Sequence, residues 1–153
     1  MVNPIPLTVI VAKGRWGTVE FVVRLSGGCP ARTFFEKDCE EIREGNKHKP
    51  ESTARARFAL LFQDMANYGQ ISQKRFKKEM GKLFGFSHEV SNKQIRFPCF
   101  IDGAKWIVTH GFSKPGAQKG RGAWPDSEVK RAEEIMAEYF LRKRALENNT
   151  RKQ

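Results

Sequence analysis

From residue 82 onward the hydrophobic period of the chain is two. The segments "KLFGFSHEV" (82–90), "QIRFPCFI" (94–101) and "AKWIVTHGF" (104–112) read as β-strands joined by tight turns. The sharpest turn signal is Asp102-Gly103. A type I′ hairpin turn needs positive φ at both central positions, which Asp-Gly accommodates. Three consecutive antiparallel strands commit this half of the chain to a sheet, and the remaining elements must cover it.

With Asp102-Gly103 as a two-residue turn, the expected register sets Ile101 opposite Ala104, Cys99 opposite Trp106, Phe97 opposite Val108 and Ile95 opposite His110. That set is apolar and reads as the core face. The other set pairs Phe100 with Lys105, Pro98 with Ile107 and Arg96 with Thr109, so Arg96, Lys105 and Phe100 read as lying on an open face. A one-residue slip would bury Arg96 and expose Trp106. His110 falls at the end of the expected core face, where it is either a packed histidine or a catalytic one. Arg96, a cation in mid-strand on the open face, suits a phosphate.

Upstream, residues 7–12 and 18–25 read as strands joined by the turn-forming "AKGRWG". A helix is expected from Pro30 to about Arg43, and a second from Ser52 to about Asn67 with the stripe Ala54, Phe58, Leu61, Phe62 and Met65. A last helix is expected from Asp126 to about Leu146, its apolar face built by Val129, Ala132, Ile135, Met136, Tyr139 and Phe140. The order predicts an α+β fold: an antiparallel sheet, two helices between the first and later strands, and a C-terminal helix. Residues 1–18 read as an N-terminal extension, 19–147 as the main domain and 148–153 as a frayed basic tail.

A chain of 153 residues supports one core of ordinary size. Its net charge of +11 points to polyanionic partners, nucleic acid first. The apolar run "LTVIVA" (7–12) is far short of the roughly 20 residues of a membrane helix. It also lacks the flanks of a signal peptide, so a cytoplasmic protein without membrane association is expected. Cys29, Cys39 and Cys99 are odd in number and without CxxC spacing, which argues against a disulfide framework or zinc ribbon. His48, His88 and His110 are too scattered for a metal cluster, so neither metal nor other cofactor is expected.

Between Asp102 and Asp126 there is no acidic residue, while Lys105, Lys114, Lys119 and Arg121 all fall there. The glycines of "KPGAQKGRG" (114–122) let backbone N–H groups approach phosphate, and Trp124 could stack a base. Lys105, Lys114, Lys119, Arg121, Trp124 and Phe100 are therefore the RNA-binding candidates.

The run "IRFPCFIDGAKWIVTHGFSKPGAQKGRGAWPDSEVKRAEEIMAEY" (95–139) resembles the C-terminal half of the phage-derived, HigB-like toxins of the RelE/ParE superfamily. The shared features fall on Arg96, the Asp102-Gly103 turn, Ile107 to Phe112, Lys114, Pro125, Glu128 and Ala132, and "KLFGFSHEV" is similar to a family strand with Glu89 at its acidic position. The chain departs from the family pattern at Ser91, where relatives often have arginine, and at Pro115, which follows Lys114 in place of a second lysine. The resemblance implies a RelE-like compact fold and a ribosome-dependent, metal-independent mRNA endoribonuclease of a type II toxin–antitoxin system, which inhibits translation. It also implies a cognate antitoxin, usually of helix-turn-helix type, with mRNA and the ribosome as partners. On this reading Arg96 stabilises the phosphorane, and His110, Glu89 and His88 are the acid and base candidates. Two alternatives stand beside it: a ParE-like toxin that acts on gyrase without cutting RNA, and a non-catalytic basic RNA- or protein-binding module of a mobile element.

Overall fold

A computed structural model describes residues 4–45, 49–115 and 124–151. It is an α+β protein whose seven-stranded sheet carries helices on both faces. Strands β1 (Thr8–Lys13) and β2 (Thr18–Val22) form a hairpin. The chain then leaves the sheet through α1 (Pro30–Thr33), a π-helical turn (Phe34–Asp38) and α2 (Cys39–Glu41), and after a 3₁₀ turn (Pro50–Ser52) enters α3 (Ala54–Tyr68). The strands β3 (Phe76–Met80), β4 (Leu83–Val90), β5 (Lys93–Ile101), β6 (Lys105–Val108) and β7 (Phe112–Pro115) follow, then α4 (Asp126–Arg151).

The sheet order is β1-β2-β6-β5-β4-β3, with β7 also pairing β5. The expected all-antiparallel sheet is in fact mixed, because β2 and β6 run parallel. The helical crossover carries the chain to the far edge, where β3 starts antiparallel to β2, and three further reversals bring β6 back beside β2 in its own direction. Residues 8–13, assigned to an N-terminal extension, form the edge strand β1. The C-terminal helix runs to Arg151, into the segment expected to fray.

The local rules account for the helix ends. The Thr53 hydroxyl accepts from the Ala56 N–H at 3.1 Å and caps α3, and Gly69 closes the helix in the left-handed region at φ 78°. The α1–α3 face holds the main core, an aromatic cluster around Phe21, Phe58, Phe62, Phe86 and Phe97. All three cysteines are free and buried.

The β5–β6 hairpin differs from its expected register. Ile101 faces Trp106 and Cys99 faces Val108, while the Asp102 N–H donates to the Lys105 carbonyl at 2.9 Å. The turn therefore centres on Gly103-Ala104, one residue later than expected, with Gly103 at φ 63°. This shifts each partner by two positions, so every side chain of the hairpin keeps its face. A second departure moves side chains across the sheet. From Cys99↔Val108 to Arg96↔Phe112 one strand advances three residues and the other four. The extra residue is a bulge at Thr109–Gly111 that splits the expected third strand into β6 and β7. His110 and Phe112 are thereby turned to the α4 side, away from the face of Trp106 and Val108.

The face read as open is half covered. Phe100 and Ile107 are 1% and 0% exposed beneath Ile135, Tyr139 and Phe140 of α4. The Asp102 carboxylate accepts from the Tyr139 hydroxyl and the Lys143 ammonium, both at 2.7 Å, pinning the hairpin turn to α4. Those donors hold Asp102 below the usual carboxylate range against the opposing effect of its burial. Among the described residues, no helix is long and apolar enough to cross a membrane.

Candidate phosphate-binding cleft

Beyond the start of α4, no helix among the described residues covers the second sheet face. Pairing of Ser87 with Arg96, Glu89 with Gln94, Gln94 with Lys114 and Lys77 with Gly85 brings these side-chain positions onto one face. A cleft of about 560 Å³ opens there, lined by Gln73, Lys74, Arg75, Lys77, Glu79 and Arg96 among others, with Trp124 at its end. The cleft reaches around the outer edge of β4. The β3–β4 pairing ends at Phe76↔Phe86, so His88 lies past it, and the Ser87 N–H and hydroxyl tie the 74–75 backbone to β4.

Arg96 is held rather than loose. Its guanidinium donates to the Ile95 carbonyl at 3.0 Å and to Gln94 Oε1 at 2.8 Å. Partial burial lowers its pKa, and the Glu79 and Glu89 charges oppose that shift. Lys114 borders the cleft from β7. Its ammonium is pushed below the ordinary lysine range by burial and by the Arg96 and Lys77 charges, with Glu79 opposing. His88 rests its ring against Phe58, and its Nδ1 lies 3.0 Å from the Glu89 carbonyl. A hydrogen bond there puts the proton on Nδ1 and leaves Nε2 as an acceptor. Burial lowers its pKa, and the Arg75 and Arg57 charges add to this.

The structure sets Arg96, Glu89 and Lys114 of the expected site on one sheet face and His88 on the opposite face, at the edge of β4 where the cleft turns round it, and it removes four others. His110 is 0% exposed, with Nε2 3.2 Å from Glu128 Oε1 and Nδ1 3.0 Å from the Thr109 hydroxyl, so it staples α4 to the bulge and cannot reach a substrate. Phe100 lies under α4. Lys105 is exposed at the hairpin turn, about 20 Å along the sheet from Arg96 at 3.3 Å per residue. Trp124 is 5% exposed, its ring against Phe112 and its backbone N–H bonded to Glu79 Oε1 at 3.0 Å, so it anchors α4 and has no free face for a base. Lys119 and Arg121 lie outside the described residues.

Lys74, Arg75 and Lys77 were not foreseen. They belong to "QKRFKKEM" (73–80), whose dense charge hides its strand, although four cations within residues 74–78 are a signal in themselves.

The indole that closes the cleft needs a glycine beneath it. A Cβ at Gly85 would stand 2.5 Å from Trp124 Cζ2. Gly85→Ala should therefore cost about 1–3 kcal/mol, read as a lowered urea midpoint with a shift in tryptophan emission. Unchanged stability would mean that Trp124 does not bear on the sheet.

Fold and site together define an α+β protein with a cationic cleft on a half-covered sheet. No family model, curated protein or solved structure matches the chain.

Proposed function

We propose that this protein is a metal-independent endoribonuclease that cuts mRNA on the ribosome, the toxin of a type II toxin–antitoxin pair with a RelE-like fold, acting in the cytoplasm and held inactive by a cognate antitoxin. The observation that carries the reading is the lining of one open cleft by Arg96, Lys77, His88 and Glu89, with Lys114 on the neighbouring strand close to Arg96 and Lys77, on a chain of net charge +11. Cations that converge on a sheet face stabilise the charge that builds on a phosphorane.

The chemistry can be assigned to these side chains. His88 Nε2 accepts the proton of the ribose 2′-hydroxyl, since its lowered pKa keeps the imidazole neutral near pH 7. O2′ attacks phosphorus, and Arg96 with Lys77 neutralises the pentacovalent intermediate. Lys114, whose ammonium is more acidic than usual, donates a proton to the departing 5′-oxygen. The P–O5′ bond breaks, leaving a 2′,3′-cyclic phosphate and a 5′-hydroxyl.

The burial of His110 favours a second reading, in which the cleft binds RNA or a protein such as gyrase without cutting, because one expected acid or base is absent from it. Induced expression in a bacterial host with primer extension on translated messages separates the two. The nuclease gives growth arrest with discrete cuts that vanish when translation is blocked, and Arg96→Gln reduces cutting about 100-fold or more with its circular dichroism unchanged. Arrest without cuts overturns the nuclease reading.

A further inference from the structure

We propose that the outer end of the cleft, lined by Arg75 and His88 with Arg57 of α3 beside them, is a second phosphate subsite, so that the cleft holds two successive phosphates of a single strand passing around the sheet edge. The inference rests on the RNA reading above and extends it from one phosphate to a path. Three observations carry it. The cleft lining is continuous from Arg96 and Gln94 on one side of the edge to Arg75, Lys74 and Gln73 on the other. Arg57, half-buried on α3, has an Nε atom with no hydrogen-bond partner among the described residues, so that edge of its guanidinium is left unsatisfied within the fold. The position is also built: the His88 ring is seated on Phe58 of α3, and the Arg75 carbonyl accepts from the Ser87 N–H at 2.7 Å, holding that segment to β4.

Charge agrees with this placement. Arg57 and Arg75 both act on the His88 imidazole, and Glu44 is the carboxylate that acts on it from the facing segment, which leaves two guanidiniums against one carboxylate. A strand whose 2′-hydroxyl meets His88 and whose phosphate sits at Arg96 has its neighbouring phosphate on the Arg57–Arg75 side, one nucleotide along.

Fluorescence anisotropy with end-labelled 2′-O-methyl oligonucleotides, which resist cleavage, tests it. The probes are a dinucleotide with one phosphate and a tetranucleotide with three. Arg57→Gln and Arg75→Gln should each weaken the tetranucleotide roughly two- to fivefold, and each should make the slope of log affinity against log salt shallower by about 0.7. Both should leave the dinucleotide unchanged, and Arg57→Lys should keep most of the slope. Arg55→Gln, on the exposed side of α3 beside Glu40, should behave as the unsubstituted protein with both probes. If Arg96→Gln weakens binding while Arg57→Gln and Arg75→Gln do not, the strand does not pass this edge and the inference falls while the RNA reading stands. If Arg96→Gln also binds both probes normally, the RNA reading itself falls.

Discussion

Phe97→Ala should lower the stability of this protein by about 3–5 kcal/mol, the cost of emptying a buried aromatic site. Phe97 is 0% exposed, and its ring lies 4.9 Å from that of Phe58, 5.4 Å from Phe62 and 5.5 Å from Phe34, and is stacked at 6.4 Å on Phe21. The cavity cannot collapse cheaply. Its floor is β5, hydrogen-bonded on one side by β4 and on the other by β6 and β7, and its roof is α3, fixed at one end by the Thr53 cap. Natural domains hold about 5–15 kcal/mol in all, so the variant stands near the threshold of folding. At about 2–4 °C per kcal/mol for a chain of this size, the melting temperature should fall by about 10 °C. Phe84→Ala, at a half-buried ring of the same cluster, should cost clearly less. A Phe97→Ala loss below 1.5 kcal/mol would show that the aromatic cluster is not where the fold is held. Because Arg96 is the next residue on β5, the same variant should lose the cleft geometry around Arg96 as it melts, and no sooner.

The parts of this structure legible in the sequence are those in which one local rule acts alone. The alternation in 82–101 marked two strands because each has one buried face, and the stripe from Phe58 to Met65 marked α3 for the same reason. Asp102-Gly103 marked the reversal correctly and its centre wrongly by one residue, and the hairpin's faces survived because the resulting shift is even. The bulge at Thr109–Gly111 was harder. Its only trace is Gly111, where a Cβ would stand 2.3 Å from Phe34 Cδ1, and a glycine inside a strand pattern does not say whether the strand bends there. Missing the bulge placed His110 and Phe112 on the wrong side of the sheet.

The site was half legible for a related reason. Arg96 could be placed because its strand neighbours Ile95 and Phe97 are apolar and their face had to be core. Periodicity shows that the stripe from Val129 to Phe140 is buried, but not on what. The sheet has two faces, and α4 lies on the one that Phe100 shares with Arg96. What separates Phe100 from Arg96 is distance along β5, which a pattern of period two does not carry. Strand β3 was invisible because Lys77, Lys78 and Glu79 suppress its apolar signal, so Lys77 and its neighbours entered the site only through the fold.

His110 should make the protein lose stability on mild acidification. Full burial, with the Arg131 charge adding to it, pushes the imidazole down to about 3, even with Glu128 Oε1 at 3.2 Å. In the unfolded chain the same group titrates near 6.5. Between these values the unfolded state binds a proton that the folded state refuses. The contribution is therefore complete above pH 6.5 and declines as pH falls toward 3, by up to about 1.4 kcal/mol per pH unit. From pH 7 to pH 5 the loss amounts to about 2 kcal/mol. The groups facing the ring are the Thr109 hydroxyl, Phe112, and Glu128 and Arg131 of α4. His110→Gln keeps a side-chain amide between Thr109 and Glu128 and removes the titration. Urea unfolding of both proteins at pH 7, 6 and 5 should give curves that converge by about 2 kcal/mol toward acid. The lowered pKa of His88 acts equally in both proteins and cancels in the difference. Parallel curves would mean that His110 takes up its proton in the folded state, which needs the staple between the bulge and α4 to open without unfolding. In that event Trp124, one turn before Glu128, would be the first part of the cleft to move.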